Sequence, residues 1–226
     1  MADRPPCPDP DRYIWVEAKK GGFWRKKRGT IKKAELNESF KRNAALTAVM
    51  NEAASRVLRL LSPYLDHMNT SGVYASIAGL LKKGYNKNQQ TDYSYLQELN
   101  IQPYNTLESL IGNVYIISYT GKAVTVQIPV DKNVLRRKSS IISHYFFEVI
   151  LLQGDVLQSD ELMIESQMSD LYAVNSKAPD CILELYPTKK PWMILLKAGC
   201  VETPIANTVE FAVSPANYGM KVIAVG

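Results

Sequence analysis

The residues best suited to chemistry crowd the N-terminal end of this chain. Between Arg12 and Arg42 stand 11 Lys/Arg against Glu17, Glu35 and Glu38, a net of +8. The densest stretch is GGFWRKKRGTIKK, residues 21–33, in which Phe23 and Trp24 abut Arg25, Lys26, Lys27 and Arg28, with Lys32 and Lys33 following. Tyr13 and Trp15 lie close by. Cations neutralise phosphates and release counterions, and aromatic faces stack on exposed bases, so this mixture suits a polyanion. It equally suits a protein partner, because Trp and Arg are typical interface anchors. The third reading is a solvated basic ribbon whose aromatics fold back on the body. Over the whole chain, Phe23, Trp24, Arg25, Lys26, Lys27, Arg28, Lys32 and Lys33 are the expected partner-binding residues, with a protein partner or self-assembly ahead of nucleic acid. Arg136-Arg137-Lys138 extends the basic surface if it folds nearby, and otherwise reads as a solvated loop.

Catalytic groupings are sparse. The two histidines each follow a polar neighbour, His67 after Asp66 and His144 after Ser143. Adjacent side chains point different ways, and a serine nucleophile needs its base within about 3 Å. Structural roles are therefore expected for both, with Asp66-His67 near a helix end and His144 in a strand. No G-x-x-x-x-G-K-[ST], G-x-G-x-x-G or H-E-x-x-H motif occurs. Asp155, Asp160 and Glu161 neighbour Gly154 without the spacing of a calcium loop, and Asp131 and Glu165 have no identifiable partner carboxylate. The expectation is a non-enzyme without cofactor or metal. An enzyme assembled from strand-end carboxylates and His144 is the distant alternative.

A chain of 226 residues with 46% apolar and 22% charged side chains can build a real core. Its net charge of +5 is uneven. Residues 1–100 hold 17 Lys/Arg and 10 Asp/Glu, whereas residues 101–226 hold 10 and 12. Basicity thus belongs to the front half, which permits polyanion binding without establishing it. Cys7, Cys181 and Cys200 form no metal-ligand spacing and suit a reducing compartment as buried or incidental thiols, with a Cys181–Cys200 bridge left open. Prolines and charges occupy residues 1–12, where a secretion signal needs an apolar stretch, and the apolar run 141–152 is too short to span a bilayer. The expected location is cytoplasmic, without membrane contact.

These groups need elements to hold them. Alternation in RYIWVEAKK, followed by Gly21-Gly22 and FWRKKRG, predicts a hairpin that makes the cations side chains of a ribbon. A long helix is predicted from an Asn37 cap through Leu61, with Phe40, Leu46, Val49, Met50, Ala53, Val57, Leu60 and Leu61 inward. Pro63 ends or kinks it, and a second helix follows over 73–83 with Ile77, Leu80 and Leu81 inward and Gly84 as its C-cap. After a polar connector, short strands are predicted at 114–119, 123–130, 141–152, 161–165, 181–186, 192–198, 209–213 and 221–225. No helical pattern separates them, so the sheet is antiparallel.

The expected fold is α+β: a basic leader or hairpin arm over 1–35, two to three helices over 36–85, a connector over 86–104, and an antiparallel β-sandwich, Ig-like or jelly-roll-like, of about eight strands over 105–226. The expected function is a non-catalytic interaction or assembly module, with nucleic-acid binding through the arm and long helix as the alternative.

Overall fold

The computed structural model describes residues 5–17, 21–27, 37–85, 93–112, 114–131, 133–136, 141–158, 161–175, 177–202 and 210–226. The chain divides into two units, Met1–Ala44 and Ala45–Gly226. Among the described residues it contains three helices and ten strands, and every strand pairing is antiparallel. The strands form three sheets, so the class is α+β. No helix of the described residues is long and apolar enough to cross a membrane.

In the smaller unit, β1 (Tyr13–Val16) pairs with β2 (Phe23–Lys26) as the alternation predicts. Gly22 has no room for a side chain, since a Cβ there would lie 2.2 Å from the Trp15 ring. Gly21 sits at φ +110°, a conformation that favours glycine. The same unit holds the first turns of α1 (Glu38–Leu61), where the Asn37 side-chain oxygen accepts from the Phe40 N–H at 2.9 Å. That is the expected N-cap.

In the larger unit, Met50, Ala53, Ala54, Val57 and Leu61 form the buried stripe of α1, at spacings of three and four. Val49, expected inward, is 44% exposed because it lies a full residue step off that stripe, and in the smaller unit Phe40 is 61% exposed in the helix's first turn. Pro63 follows in a single 3-10 turn, so α1 stops at Leu61. α2 (Val73–Gly84) buries Val73, Ile77, Ala78 and Leu81 and leaves Leu80 half-buried. Gly84 is its last helical residue rather than a left-handed cap, and Tyr85 leaves in an extended conformation. A third helix escapes the periodicity argument. α3 (Leu107–Ile111) is five residues long and starts at Thr106, whose side chain accepts from the Ser109 N–H at 3.2 Å.

The large sheet runs in the order β10 (Tyr218–Val225), β9 (Trp192–Glu202), β5 (Ile142–Gln153) and β6 (Met163–Met168). The two-residue β7 (Tyr172–Ala173) also pairs with β5. A three-stranded sheet holds β3 (Ile116–Thr120), β4 (Ala123–Ile128) and β8 (Cys181–Leu185). Val124, Val126, Ile128, Leu183 and Leu185 of the smaller sheet share one apolar cluster with Tyr145, Phe147, Val149, Ile194 and Leu196 of the larger. A second cluster joins α1 and α2 to the alternate residues Ile150, Leu152, Met193, Leu195, Met220 and Val222. Strands β5, β9 and β10 of the large sheet are therefore buried on both faces, and β5 reads as the near-continuous apolar run such a strand requires. Of the expected strand at 209–213, only Phe211 bridges Val201, and residues 203–209 lie outside the described part.

Residues 98–101 cover the outer edge of β10. The Glu98 and Ile101 N–H groups donate to Val222 and Met220 carbonyls at 2.9 and 2.8 Å. That contact places Glu98 beside the buried Lys221 ammonium, which also meets Glu108 of α3. Burial alone would lower the Lys221 pKa, but hydrogen bonds to the two carboxylates reverse this and hold it well above the usual lysine range. For Glu108, burial pushes upward while the Lys221 hydrogen bond and charge bring its pKa below the usual value. A lowered carboxylate pKa gives stability that is present above its unfolded value and lost as pH falls through the folded one. A raised lysine pKa gives stability lost only as pH climbs through the folded value. We expect Glu108→Gln to cost about 1–3 kcal/mol near neutrality in urea unfolding. The deficit should shrink as pH falls below the usual carboxylate range, where the wild-type carboxylate, its pKa lowered, finally protonates.

Candidate functional site

The hairpin sorts the expected partner residues onto two faces. Register sets Trp15 opposite Trp24 and Tyr13 opposite Lys26 on one face, with Ile14 opposite Arg25 and Val16 opposite Phe23 on the other. The indoles meet edge to face, 5.2 Å between centroids, and Trp24 Nε1–H donates to the Pro5 carbonyl at 2.9 Å. Trp24 is thus half-buried and helps to build the ribbon. Phe23 is 52% exposed, and Ile14 and Arg25 are exposed beside it. Lys26 is exposed on the Trp face, and Lys27 is half-buried with its backbone N–H on the Arg12 carbonyl. Arg28, Lys32 and Lys33 lie outside the described residues, as do Arg137 and Lys138.

The cations of α1 are not a uniform surface. In the smaller unit Lys41 pairs with Glu38 at 2.8 Å. In the larger unit the Arg56 guanidinium donates to the Val156 and Leu157 carbonyls at 3.2 and 2.6 Å and pairs with Glu52, so it ties α1 to the loop after β5. Arg59 is exposed.

A cavity of about 210 Å3 lies on the large sheet's helix-side face, where α1 has ended. Phe146, Glu148, Lys197 and Tyr218 are its buried lining, and Asp66, His67, Met168 and Phe211 are its exposed lining. Glu148 of β5 stands opposite Lys197 of β9, and the Lys197 ammonium lies 3.3 Å from the Glu148 carboxylate. The same ammonium sits 5.9 Å from the centre of the Phe146 ring. The Tyr218 ring stacks on His67 with 5.8 Å between centroids, while its hydroxyl is buried with no hydrogen-bond partner among the described residues. Burial, with the nearby Cys200, Glu202 and Asp66, pushes that phenol well above the usual tyrosine range. His67 holds φ at +65°, uncommon outside glycine.

Local structure explains how these groups converge. Gly199 of β9 faces Phe146 and Tyr218, and a Cβ there would lie 2.5 Å from one ring and 2.9 Å from the other. The missing side chain leaves the room that both rings occupy. The buried amides of Gln102 and Asn105 hold the turn into β10, donating to the Pro215 and Ala216 carbonyls at 2.6 and 2.9 Å, and Asn105 also donates to the Tyr218 carbonyl. Phe211 meets Phe146 edge to face at 5.5 Å.

Other groups singled out by sequence stand elsewhere. His144 Nδ1 is 2.9 Å from the Ser143 hydroxyl, which also reaches the Glu202 carbonyl at 3.1 Å. Cys7, Cys181 and Cys200 are free thiols, and burial pushes Cys200 up to about 12. Among the described residues no group of three or more His, Cys, Asp or Glu is placed to hold a metal ion. An open groove of about 580 Å3, walled by Tyr119, Tyr186 and Trp192 with Lys122 and Lys189, lies between the β3–β4 turn and the β8–β9 connection. Trp192 is half-buried there and packs against the apolar cluster between the two sheets.

Sequence reasoning missed Glu148, Lys197 and Tyr218 as a set. Their signal was a single charge inside each of two strongly apolar strands, since Lys and Glu are almost never buried unless paired. No protein-family model matches the chain, and comparison with curated proteins and with solved structures found no match.

Replacing Gly199 by alanine would drive a methyl into two buried rings. We expect it to cost about 1–3 kcal/mol in urea unfolding.

Proposed function

We propose that this chain is a non-catalytic interaction module whose contact face is the β1–β2 hairpin, with a protein surface as its partner and a second copy of the chain as the first candidate. The observation carrying this reading is the division of labour within the ribbon. Trp15 and Trp24 pack on each other and so stabilise the hairpin, while Ile14, Phe23 and Arg25 stand exposed together on the opposite face. An aromatic flanked by a guanidinium and an aliphatic side chain is the composition of an interface anchor. Two four-residue strands are marginal alone in water, so covering this face would stabilise the ribbon as well as the complex. In this reading residues 1–35 act as a basic arm and residues 105–226 as a sandwich-like body. Three unpaired thiols suit a cytoplasmic setting.

Exposed Arg25 and Lys26 on opposite faces, within a stretch of net charge +8, favour one alternative: a ribbon gripping phosphates.

Light scattering over a hundredfold range of protein concentration separates the two. Self-association should appear in the wild type and fall at least tenfold in Phe23→Ala/Arg25→Glu, a double change on exposed side chains that leaves the Trp pair in place. Fluorescence anisotropy with single- and double-stranded DNA and RNA at several salt concentrations tests the alternative. A monomer whose nucleic-acid binding weakens steeply with salt, and collapses on removal of residues 1–35, overturns the protein-contact reading.

A further inference from the structure

The helix-side cavity holds two buried charges with spare hydrogen-bonding capacity and one buried hydroxyl with none of its capacity used. An ammonium offers three donors and a carboxylate about four acceptor sites, yet Lys197 and Glu148 meet in a single 3.3 Å contact. Their side chains are only 10% and 12% exposed, so water makes up little of the shortfall. Leaving such groups under-satisfied is costly, and the cost falls when a bound molecule supplies the missing partners.

We propose that this cavity binds a free zwitterionic α-amino acid with an apolar side chain. The ammonium and carboxylate of such a molecule stand about 3 Å apart, as ordinary covalent geometry dictates. That separation matches the 3.3 Å of the Lys197–Glu148 pair. Laid head to tail, the ligand's carboxylate meets Lys197 and its ammonium meets Glu148, and each charge gains an opposite neighbour. Asp66 adds a second carboxylate to the lining, so Asp66, Glu148 and Lys197 together carry one net negative charge. This disfavours a ligand that is only an anion. A ligand that is only a cation leaves Lys197 without its new partner. Tyr218 lines the same cavity and its buried hydroxyl has no hydrogen-bond partner among the described residues, so in this proposal it turns to the ligand carboxylate as a donor. Phe146, Met168 and Phe211 give the side chain an apolar wall. The volume of about 210 Å3 corresponds to about seven waters of liquid, enough for leucine or methionine.

This site stands independently of the hairpin reading and is tested with the full-length protein. L-leucine, L-methionine and L-phenylalanine are titrated by calorimetry and by thermal shift, alongside 3-methylbutylamine and 4-methylpentanoate, which each keep one of leucine's two charged groups. At least one of the three amino acids should bind saturably and raise the melting temperature. For leucine, each one-charge analogue should be about tenfold weaker or worse, because it leaves a buried group unpaired. Glu148→Gln/Lys197→Met removes both charges at similar volume and should abolish binding while remaining folded. Tyr218→Phe should weaken binding several-fold with an unchanged or higher melting temperature, because it deletes an unsatisfied buried hydroxyl. Absence of binding by all three amino acids at about 10 mM, a Kd weaker than any specific site of this kind warrants, overturns the proposal. So does equal binding of leucine and its analogues, or wild-type affinity in Tyr218→Phe. Should the double variant fail to fold, the analogue series and Tyr218→Phe decide the matter alone.

Discussion

The pairing of β5 with β9 is the constraint on which the larger unit rests. Both strands are buried on both faces, so each residue step along them assigns a side chain to one of two cores. A slip of one residue would exchange the cores wholesale. Apolar side chains alone resist such a slip weakly, since one aliphatic residue replaces another at modest cost. Glu148 opposite Lys197 resists it strongly, because a slip would set each charge against Leu196, Ala198, Phe147 or Val149 in a low-dielectric interior. The pair is an opposite-charge lock at the centre of the sheet, and β6 and β10 inherit their register from it.

What the helices cover, and what they leave open, follows from that register and from one proline. The alternate positions Ile150, Leu152, Leu195 and Val222 form the floor under α1 and α2. Moving back along β5 on the same face, the next positions are Glu148 and Phe146. Those positions lie past the end of α1, because Pro63 cannot continue the helix beyond Leu61 and the chain turns away through Asp66 and His67. The cavity is therefore a product of helix length, with a charged pair and an aromatic ring on its floor because strand periodicity puts them there.

How far the fold could be read from sequence depended on how local each signal was. The hairpin, the Asn37 cap, the end of α1 and most of the strands were legible because each rests on a few adjacent residues: Gly21-Gly22, Asn37-Glu38, Ser62-Pro63, the alternation from Val124 to Ile128. The class followed, since among the described residues no α-helix lies between the later strands; α3, too short at five residues to show a period, precedes them. Missed features were non-local. Nothing near Val49 says that the stripe begins one position later, because the sheet row that selects the stripe is a hundred residues away. The two-residue β7 has no pattern at all. The candidate site was hardest, because Glu148, Lys197 and Tyr218 meet only through strand register. On the hairpin the residue types are legible but their faces are not: cross-strand register sets Trp24 against Trp15 and leaves Phe23 and Arg25 exposed on the other face.

The buried pair also bears on why this cavity should hold anything. As a stabilising device, a buried salt bridge is poor, since desolvation of two charges consumes most of their attraction and an apolar pair of similar volume does as well. Register specificity explains why charges stand opposite each other, and it would be satisfied equally by a pair sealed under a helix. Here the pair lies instead beneath an opening, next to a tyrosine whose hydroxyl has no partner and a histidine held at positive φ. Each of these features carries a cost, and they share one cavity. A common occupant that relieves the unmet hydrogen bonds together accounts for their convergence, whereas separate structural roles would have to explain each of them in turn.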